Sequence, residues 1–347
     1  MKVFIRFRLL SFVFAAILIT PSCKKEDEAP VIYLNESEQK VFVLNEGNFQ
    51  SANGSISIYK PENNTVDYKI FQANNSGRPL GDVIQSMERI GENYFIVVNN
   101  SSKIEVVSSK TFRSVGKIGG LNSPRYILPI AANKVYVSDL YEDKLYVINP
   151  ENLSISKTIP TNGWTEQMVL VDGKAFVCQV DSAQLLVFDV QKDSLIASIS
   201  TNLQPQSIVV DINDKVWVAA SGGIGQGLSA IHRIDPNNFT IEQTFEVNEL
   251  SKSISNLNIS ADKTTLYYLM DDVFELRIDA STLPQQATVK SNGRLIYSLG
   301  LDPTSDEIYI SDAIDYLQRG VIYRYNSNGL ELDNFKAGII PGGYYFD

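Results

Sequence analysis

The chain has 347 residues, with 40 acidic against 30 basic side chains and a formal net charge of −10. Nucleic acids bind to basic surfaces, so this balance argues against a nucleic-acid partner. One histidine and two cysteines are too few for a zinc site built from several such ligands.

The first 22 residues have the features of an export signal. Lys2, Arg6 and Arg8 precede an apolar run over residues 9–19, which is too short to span a bilayer as a helix. Cys23 follows at the place where a bacterial lipoprotein signal has its acylated cysteine. We therefore expect residues 1–22 to be removed and Cys23 to carry a lipid. The alternative is an ordinary secretory peptide followed by a stray thiol.

Residues 23–39 form the predicted link between lipid and folded domain. The run Lys24-Lys25-Glu26-Asp27-Glu28 resembles the surface-export signal of Gram-negative lipoproteins, which implies an outer-membrane anchor facing outward. The segment is polar and acidic and has no period, as is typical of a flexible tether. The membrane contact that we expect is made by the lipid alone.

Residues 40–347 contain a repeat that predicts an all-β fold. A short strand of the type Lys-Val-Tyr-Val recurs seven times, at intervals of roughly 40 to 50 residues, which is typical of β-propeller blades. No stretch has a convincing helical period. The seven copies are 40–43, 93–96, 134–137, 174–177, 215–218, 265–268 and 307–310. We expect one seven-bladed β-propeller with four strands in each blade.

The two chain ends predict how the ring closes. Each copy follows an inner strand, except the first, which has none before Lys40. The C-terminal run 341–346 resembles the inner-strand starts at Pro124 and Pro205. We expect it to become the inner strand of blade one, which would leave only short, protected sheet edges.

Loop lengths indicate where a ligand could bind. The loop between the second and third strands is enlarged in blades one, five and seven, and all three loops fall on one face. They hold mainly amide, aromatic and guanidinium groups, which suit a large, neutral, polar ligand. The alternative is that these are solvated loops whose Asn and Gly residues only form turns. The candidate ligand-binding residues on this face are Glu46, Asn48, Phe49, Asn75, Arg78, Arg125, Trp164, Glu166, Gln226, Asp315, Tyr316 and Arg319.

The sequence offers no set of catalytic residues. It has no nucleophile elbow, phosphate-binding loop or EF-hand loop. Cys178 and His232 each lie within a predicted strand, and we expect both to be packed residues. Carboxylates are numerous, which leaves room for a calcium site, but no spacing singles out a group of ligands.

The two ends of the folded part resemble a known group of proteins. Phe42 to Phe49, Asn53-Gly54-Ser55 and Gly338 to Gly343 are similar to the end motifs of YncE-like, seven-bladed propeller lipoproteins on the surface of Gram-negative bacteria. That group includes proteins that capture cobalamin above a TonB-dependent transporter. The resemblance implies non-catalytic capture of a nutrient, with cobalamin or another corrinoid as the specific candidate.

Two further functions stay open at this point. Propellers also include hydrolases of the lactonase type, which place carboxylates at the central channel. A third possibility is a scaffold that binds protein in glycan-uptake machinery.

Overall fold

The structure is a computed structural model that describes residues 31–347. The predicted signal, Cys23 and most of the predicted tether lie outside the described residues. The described chain forms seven antiparallel sheets around a central channel.

The strands of the first four blades follow one another along the chain. Blade one contains β1 (Val41–Asn45), β2 (Ser55–Lys60) and β3 (Thr65–Asp67), and helix α1 (Ile70–Asn74) follows it. Blade two contains β4 (Ile84–Ile90), β5 (Asn93–Val98), β6 (Lys103–Ser108) and β7 (Ser114–Ile118). Blade three contains β8 (Pro124–Ala131), β9 (Lys134–Asp139), β10 (Lys144–Asn149) and β11 (Ser154–Pro160). Blade four contains β12 (Thr165–Val171), β13 (Lys174–Gln179), β14 (Gln184–Asp189) and β15 (Ser194–Ser200).

The remaining strands complete the ring. Blade five contains β16 (Pro205–Val210), β17 (Val216–Ala220), β18 (Ala230–Asp235) and β19 (Thr240–Glu246). Blade six contains β20 (Ser255–Ile259), β21 (Thr265–Met270) and β22 (Asp272–Arg277). Blade seven contains β23 (Ile296–Leu301), β24 (Ile308–Asp312), β25 (Arg319–Tyr325) and β26 (Glu331–Ile339), and β27 (Pro341–Phe346) returns to blade one.

Ring closure by the C-terminal strand is confirmed. Strand β27 pairs antiparallel with β1, so that Val43 lies opposite Tyr344, and it takes the inner position of blade one. The all-β propeller with seven blades is likewise confirmed. The expectation of four strands in every blade was wrong for blade six, where only an isolated bridge between Val273 and Val289 occupies the outer position. Pro284 lies in the segment before that bridge, and proline cannot donate to a strand ladder.

The repeated apolar strands lie in the middle of each blade, where neighbouring blades cover both of their faces. All five residues of β1 are buried. The outermost strand β19 instead alternates between exposed and less exposed residues. A strand covered on both faces favours a continuous apolar run over alternation, which explains the Lys-Val-Tyr-Val repeat.

Seven clusters of buried apolar side chains fill the interfaces between neighbouring blades, one cluster for each interface. Phe42 and Ile96 belong to the cluster between blades one and two. Val43 and Tyr309 belong to the cluster between blades seven and one. The interface that closes the ring is therefore packed like the others. Cys178 is fully buried between blades four and five, as expected, and burial raises the pKa of its thiol.

Candidate functional site

One face of the ring carries both the enlarged loops and the starts of the inner strands. Because the strands of a blade are antiparallel, the start of the first strand, the loop between the second and third, and the end of the fourth share one face. We call it the upper face. The long loops 46–54, 221–229 and 313–318 lie there, in blades one, five and seven, as the sequence predicted.

Every inner strand has a β-bulge at its second residue on this face. The pairing register with the neighbouring strand shifts at that point in all seven blades. A bulge turns the side chain of the extra residue away from the regular ladder. We call these residues the mouth ring, since they stand at equivalent positions around the upper end of the channel. They are Gln85, Arg125, Glu166, Gln206, Asn256, Tyr297 and Gly342.

Glu46 takes the place that blade one leaves empty in the mouth ring. A Cβ atom on Gly342 would lie 2.3 Å from the Oε1 atom of Glu46, so the glutamate side chain fills the space beside the glycine. The Tyr297 hydroxyl donates to both Glu46 oxygens at 3.1 Å. Burial raises the pKa of the Glu46 carboxyl, while the Tyr297 bond and the Arg125 charge act in the opposite direction.

Arg125 and Glu166 form an ion pair within the ring. Arg125 Nε donates to Glu166 Oε1 at 2.9 Å, and Arg125 Nη1 donates to the amide oxygen of Gln85. Both partners are largely buried, with 19% and 8% of their side chains exposed. Burial raises the pKa of the Glu166 carboxyl, and Arg125 opposes that shift. The sequence predicted that Arg125 and Glu166 lie near the channel mouth, and the structure places them there in direct contact.

Two aromatic pairs lie beside the ring on the upper face. Trp164 directly precedes β12 and meets Tyr141 edge to face, with ring centroids 5.7 Å apart. Tyr316 meets Tyr297 in the same way at 5.7 Å. Trp164, Tyr141 and Tyr316 are each at least 40% exposed. The mouth therefore combines a polar ring with exposed aromatic surface on two sides.

The channel below the ring is open. A cavity of about 420 Å³ lies between the inner strands, with Tyr126, Asn258 and Tyr344 in its wall. Glu88 on β4 also lines it, and burial raises the pKa of this carboxyl to about 7. The lower part of the cavity is more apolar, and it is lined by Leu301, Pro303 and Phe346.

Other predicted residues shape the rim of the mouth. The Asn48 side chain donates to the Tyr316 carbonyl oxygen at 2.6 Å, which joins the long loops of blades one and seven. The Asp315 carboxylate accepts the backbone N–H groups of Leu317 and Gln318, and these bonds lower its pKa. Phe49 is 67% exposed, and Gln226 is also exposed in the loop of blade five.

Three predicted residues lie away from the mouth ring. The Asn75 amide donates to the carbonyl oxygens of Phe71 and Phe112, so it packs α1 against blade two. Arg78 forms an ion pair with Glu105 on β6, the third strand of blade two, at 2.7 Å. Arg319 starts β25, where its guanidinium lies 4.1 Å from the Tyr68 ring centroid.

Sequence reasoning missed several residues of the ring. The candidates did not include five ring residues whose positions match those of Arg125 and Glu166: Gln85, Gln206, Asn256, Tyr297 and Gly342. The available signal was the alignment of inner-strand starts: the residue one place after each start is the ring residue. No feature of the sequence indicated that Tyr141, the partner of Trp164, lies at the mouth.

Side chains that could hold a metal ion do not gather at the mouth. Within residues 31–347, no group of three or more His, Cys, Asp or Glu side chains has the arrangement of a metal site. His232 is buried in blade five, where its Nδ1 lies 3.0 Å from the Thr244 hydroxyl and burial lowers its pKa to about 4. None of the helices in the described part of the chain is long and apolar enough to cross a membrane.

The strand order and the channel mouth define a seven-bladed β-propeller with a polar ring at one end of its channel. The chain belongs to DUF5074, a family described as a domain of unknown function, which matches residues 39–346. No curated protein matches the sequence.

Solved structures with a similar fold share little sequence with this chain. A quinonprotein alcohol dehydrogenase-like protein from Bacteroides thetaiotaomicron is 16% identical, with a TM-score of 0.69 over 89% of this chain and 78% of its own. A protein from Bacteroides fragilis, provisionally assigned as a 6-phosphogluconolactonase, is 13% identical, with a TM-score of 0.65 over 90% and 98%. A functionally unknown protein from Desulfotomaculum acetoxidans is 14% identical, with a TM-score of 0.67 over 88% and 98%. At these identities the likeness shows the fold alone.

Proposed function

We propose that this protein is a non-catalytic, ligand-binding propeller that captures a large polar nutrient at its channel mouth. The observation that carries the proposal is the mouth ring, in which the bulges of six blades place a polar side chain at the channel mouth and Glu46 fills the position beside Gly342 in blade one. A buried ion pair such as Arg125–Glu166 contributes little to stability. We therefore propose that the charges of Arg125 and Glu166 serve to contact a ligand rather than to stabilise the fold.

The chemistry of the mouth supports a broad ligand with many hydrogen-bonding groups. Gln85, Gln206 and Asn256 offer amides, Arg125 a guanidinium, and Glu46 a carboxylate. The pairs Tyr141–Trp164 and Tyr297–Tyr316 offer flat contacts at a low cost in side-chain entropy. A corrinoid, whose rim carries many amide groups, fits this description. The resemblance of the chain ends to cobalamin-capturing propellers makes cobalamin the specific candidate.

Titration of purified residues 24–347 with cyanocobalamin tests the proposal. We expect saturable binding, and we expect Trp164→Ala or Tyr316→Ala to weaken it roughly tenfold or more, because each removes a large exposed aromatic contact. Leu330→Ala is the matched control, since Leu330 is 66% exposed in a loop on the opposite face.

Two results would contradict the proposal in different ways. No binding at high micromolar cyanocobalamin would remove the corrinoid as ligand. Unchanged affinity in both aromatic variants would place the site away from the mouth. Metal-dependent turnover of lactones would favour the hydrolase alternative instead.

We propose that the protein is located at the outer membrane, where a lipid on Cys23 anchors it. The amino-terminal sequence supports this proposal, and stable anchoring needs more than one acyl chain. We expect wild-type protein in the membrane fraction and the Cys23→Ser variant outside it. Equal partition of both proteins into the membrane fraction would count against the anchor.

The proposed partner is a TonB-dependent transporter that receives the ligand. Large apolar side chains at the rim support a protein contact on this face: Phe49, Ile224 and Leu317 are all more than 60% exposed. Cross-linking from position 49 or 317 in cells should capture the transporter. Capture that is equally efficient from position 330, on the opposite face, would contradict this orientation.

A further inference from the structure

A second pocket lies on the upper face, away from the mouth ring, between blades one and seven. We call it the seam pocket, because it sits where the first and last blades of the chain meet. Its volume is about 400 Å³, within the range of small-molecule sites. Ser55 and Ser57 on β2 form part of its wall and are only 3% and 1% exposed. Tyr68, Lys69 and Arg319 line its outer part.

The charge of the seam pocket is opposite to that of the whole chain. Arg319 and Lys69 both line it, and no acidic side chain does so among the described residues. Neither cation forms an ion pair with any residue between 31 and 347. In a chain with a net charge of −10, two cations without acidic partners in one pocket make a local site for an anion.

Arg319 is held in position for such a contact. Its Nε donates to the Ala337 carbonyl oxygen at 2.7 Å, and its guanidinium lies 4.1 Å from the Tyr68 ring centroid. These contacts fix the plane of the guanidinium and leave its two terminal nitrogens available. A planar guanidinium binds carboxylate or phosphate through two parallel hydrogen bonds.

The neighbouring polar groups suit a ligand that also carries hydroxyl groups. The Ser57 hydroxyl accepts from Asn45 Nδ2 at 3.2 Å, which leaves its own proton free to donate. Ser55 makes no side-chain hydrogen bond within the described residues, and Asn53 lies at the rim. We propose that the seam pocket binds a small organic anion that carries hydroxyl groups beside a carboxylate or a phosphate. Its residues differ from those of the mouth ring, so this binding does not depend on ligand capture at the mouth.

Calorimetric titration at low ionic strength tests the proposal with three probes that share a hexose frame. D-glucuronate carries a carboxylate, glucose 6-phosphate a phosphate, and glucose neither. We expect at least one of the two anions to bind and glucose not to bind at the same concentration. Added salt should weaken the binding, because the pocket is open to solvent.

Variants identify the pocket. Arg319→Gln and Lys69→Gln should each weaken anion binding roughly tenfold or more, since each removes a charge-assisted hydrogen bond. Both residues are exposed, so the fold should be kept, and melting temperatures check this. Lys192→Gln is the control, because Lys192 is 76% exposed in a loop on the opposite face.

The proposal would be overturned by no binding of either anion, by equal binding of glucose, or by full affinity in the Arg319→Gln, Lys69→Gln double variant. Loss of anion binding in Arg125→Gln but not in the double variant would place the anion at the mouth, which also overturns it. Cyanocobalamin affinity, measured on the same double variant, tests the mouth separately.

Discussion

The second residue of each inner strand determines what the channel mouth can contact, because the bulge removes it from the regular alternation of the sheet. Six blades place a polar side chain there, and blade one places Gly342. Glu46, the first residue of the loop after β1, fills the gap and accepts a hydrogen bond from the Tyr297 hydroxyl. The mouth ring thus depends on a glycine at one position and on a long side chain from the neighbouring loop.

Gly342→Ala should disturb the mouth, whereas Gly343→Ala should not. A methyl group on Gly342 would approach Glu46 Oε1, Cγ and Cδ to 2.9 Å or less, so Glu46 must leave its place beside Tyr297. The same change at Gly343 meets nothing closer than 3.5 Å. Overpacking costs about 1–3 kcal/mol, which should lower the melting temperature of Gly342→Ala by several degrees. Equal melting curves for the two variants would show that Glu46 does not hold this position.

Glu88 should make the stability of the protein depend on pH. Burial raises the pKa of its carboxyl from 4.5 to about 7, so the folded protein binds this proton more tightly than the unfolded chain does. The cost of burying the ionised form begins above pH 4.5, grows as pH rises and is complete above pH 7. Glu88→Gln removes that cost. Its gain in unfolding free energy should be larger at pH 8.5 than at pH 5.5 by about 2 kcal/mol.

Denaturant unfolding of wild type and Glu88→Gln at the two pH values measures this difference. The effect of His232, whose pKa of about 4 favours folding as pH rises, is present in both proteins and cancels. An equal gain at both pH values would show that Glu88 is ionised without penalty in the channel.

Strands and loops followed the sequence closely, with one exception. The apolar runs predicted the second strand of every blade, and the spacing between runs predicted the long loops 46–54, 221–229 and 313–318. Blade six departs from the pattern, since a spacing of normal length after β22 is filled by irregular chain with one bridge at Val289. The length of a blade can be measured from the sequence. That length does not show whether the outermost residues of the blade pair with the neighbouring strand.

The C-terminal strand should stabilise the whole domain. Removing 344–347 takes three aromatic side chains from β27 and the Asp347 carboxylate, which contacts Lys40, Arg89 and Tyr94 at 2.8–3.1 Å. Lys40 is 2% exposed and would lose its carboxylate partner. We expect a loss of more than about 5 kcal/mol, seen as a large fall in melting temperature.

A graded series makes the test of β27 specific. Asp347→Ala alone should cost about 3 kcal/mol, because it removes only one partner of a buried ion pair. Leu330→Ala, in an exposed loop, should cost little. If the deletion leaves the melting temperature unchanged, the inference that β27 stabilises the domain by closing the ring is contradicted.

The arrangement of blades was predictable from the sequence to a greater degree than the site was. The fold and the ring closure were predicted from a repeated sequence pattern. Because the pattern occurs seven times, each copy strengthens the prediction made from the others. The mouth ring depends on register, because one extra residue in each inner strand decides which side chain faces the channel. Asn75 and Arg78 show a second limit of prediction from the sequence. A polar residue near the upper face can hold neighbouring elements together instead of facing a ligand, and only its contacts in the structure reveal this.

A closed ring should unfold as one unit. Each blade shares one apolar cluster with each neighbour, and the cluster between blades seven and one leaves no free end from which unfolding could spread. Scanning calorimetry should therefore show a single transition, with calorimetric and van't Hoff enthalpies nearly equal. Ile322→Ala at the closing interface and Ile231→Ala between blades five and six remove equally buried side chains. Each should cost about 2–5 kcal/mol and shift the whole transition downward. A separate low-temperature transition in Ile322→Ala alone would mean that the ring opens at its seam before the other blades unfold.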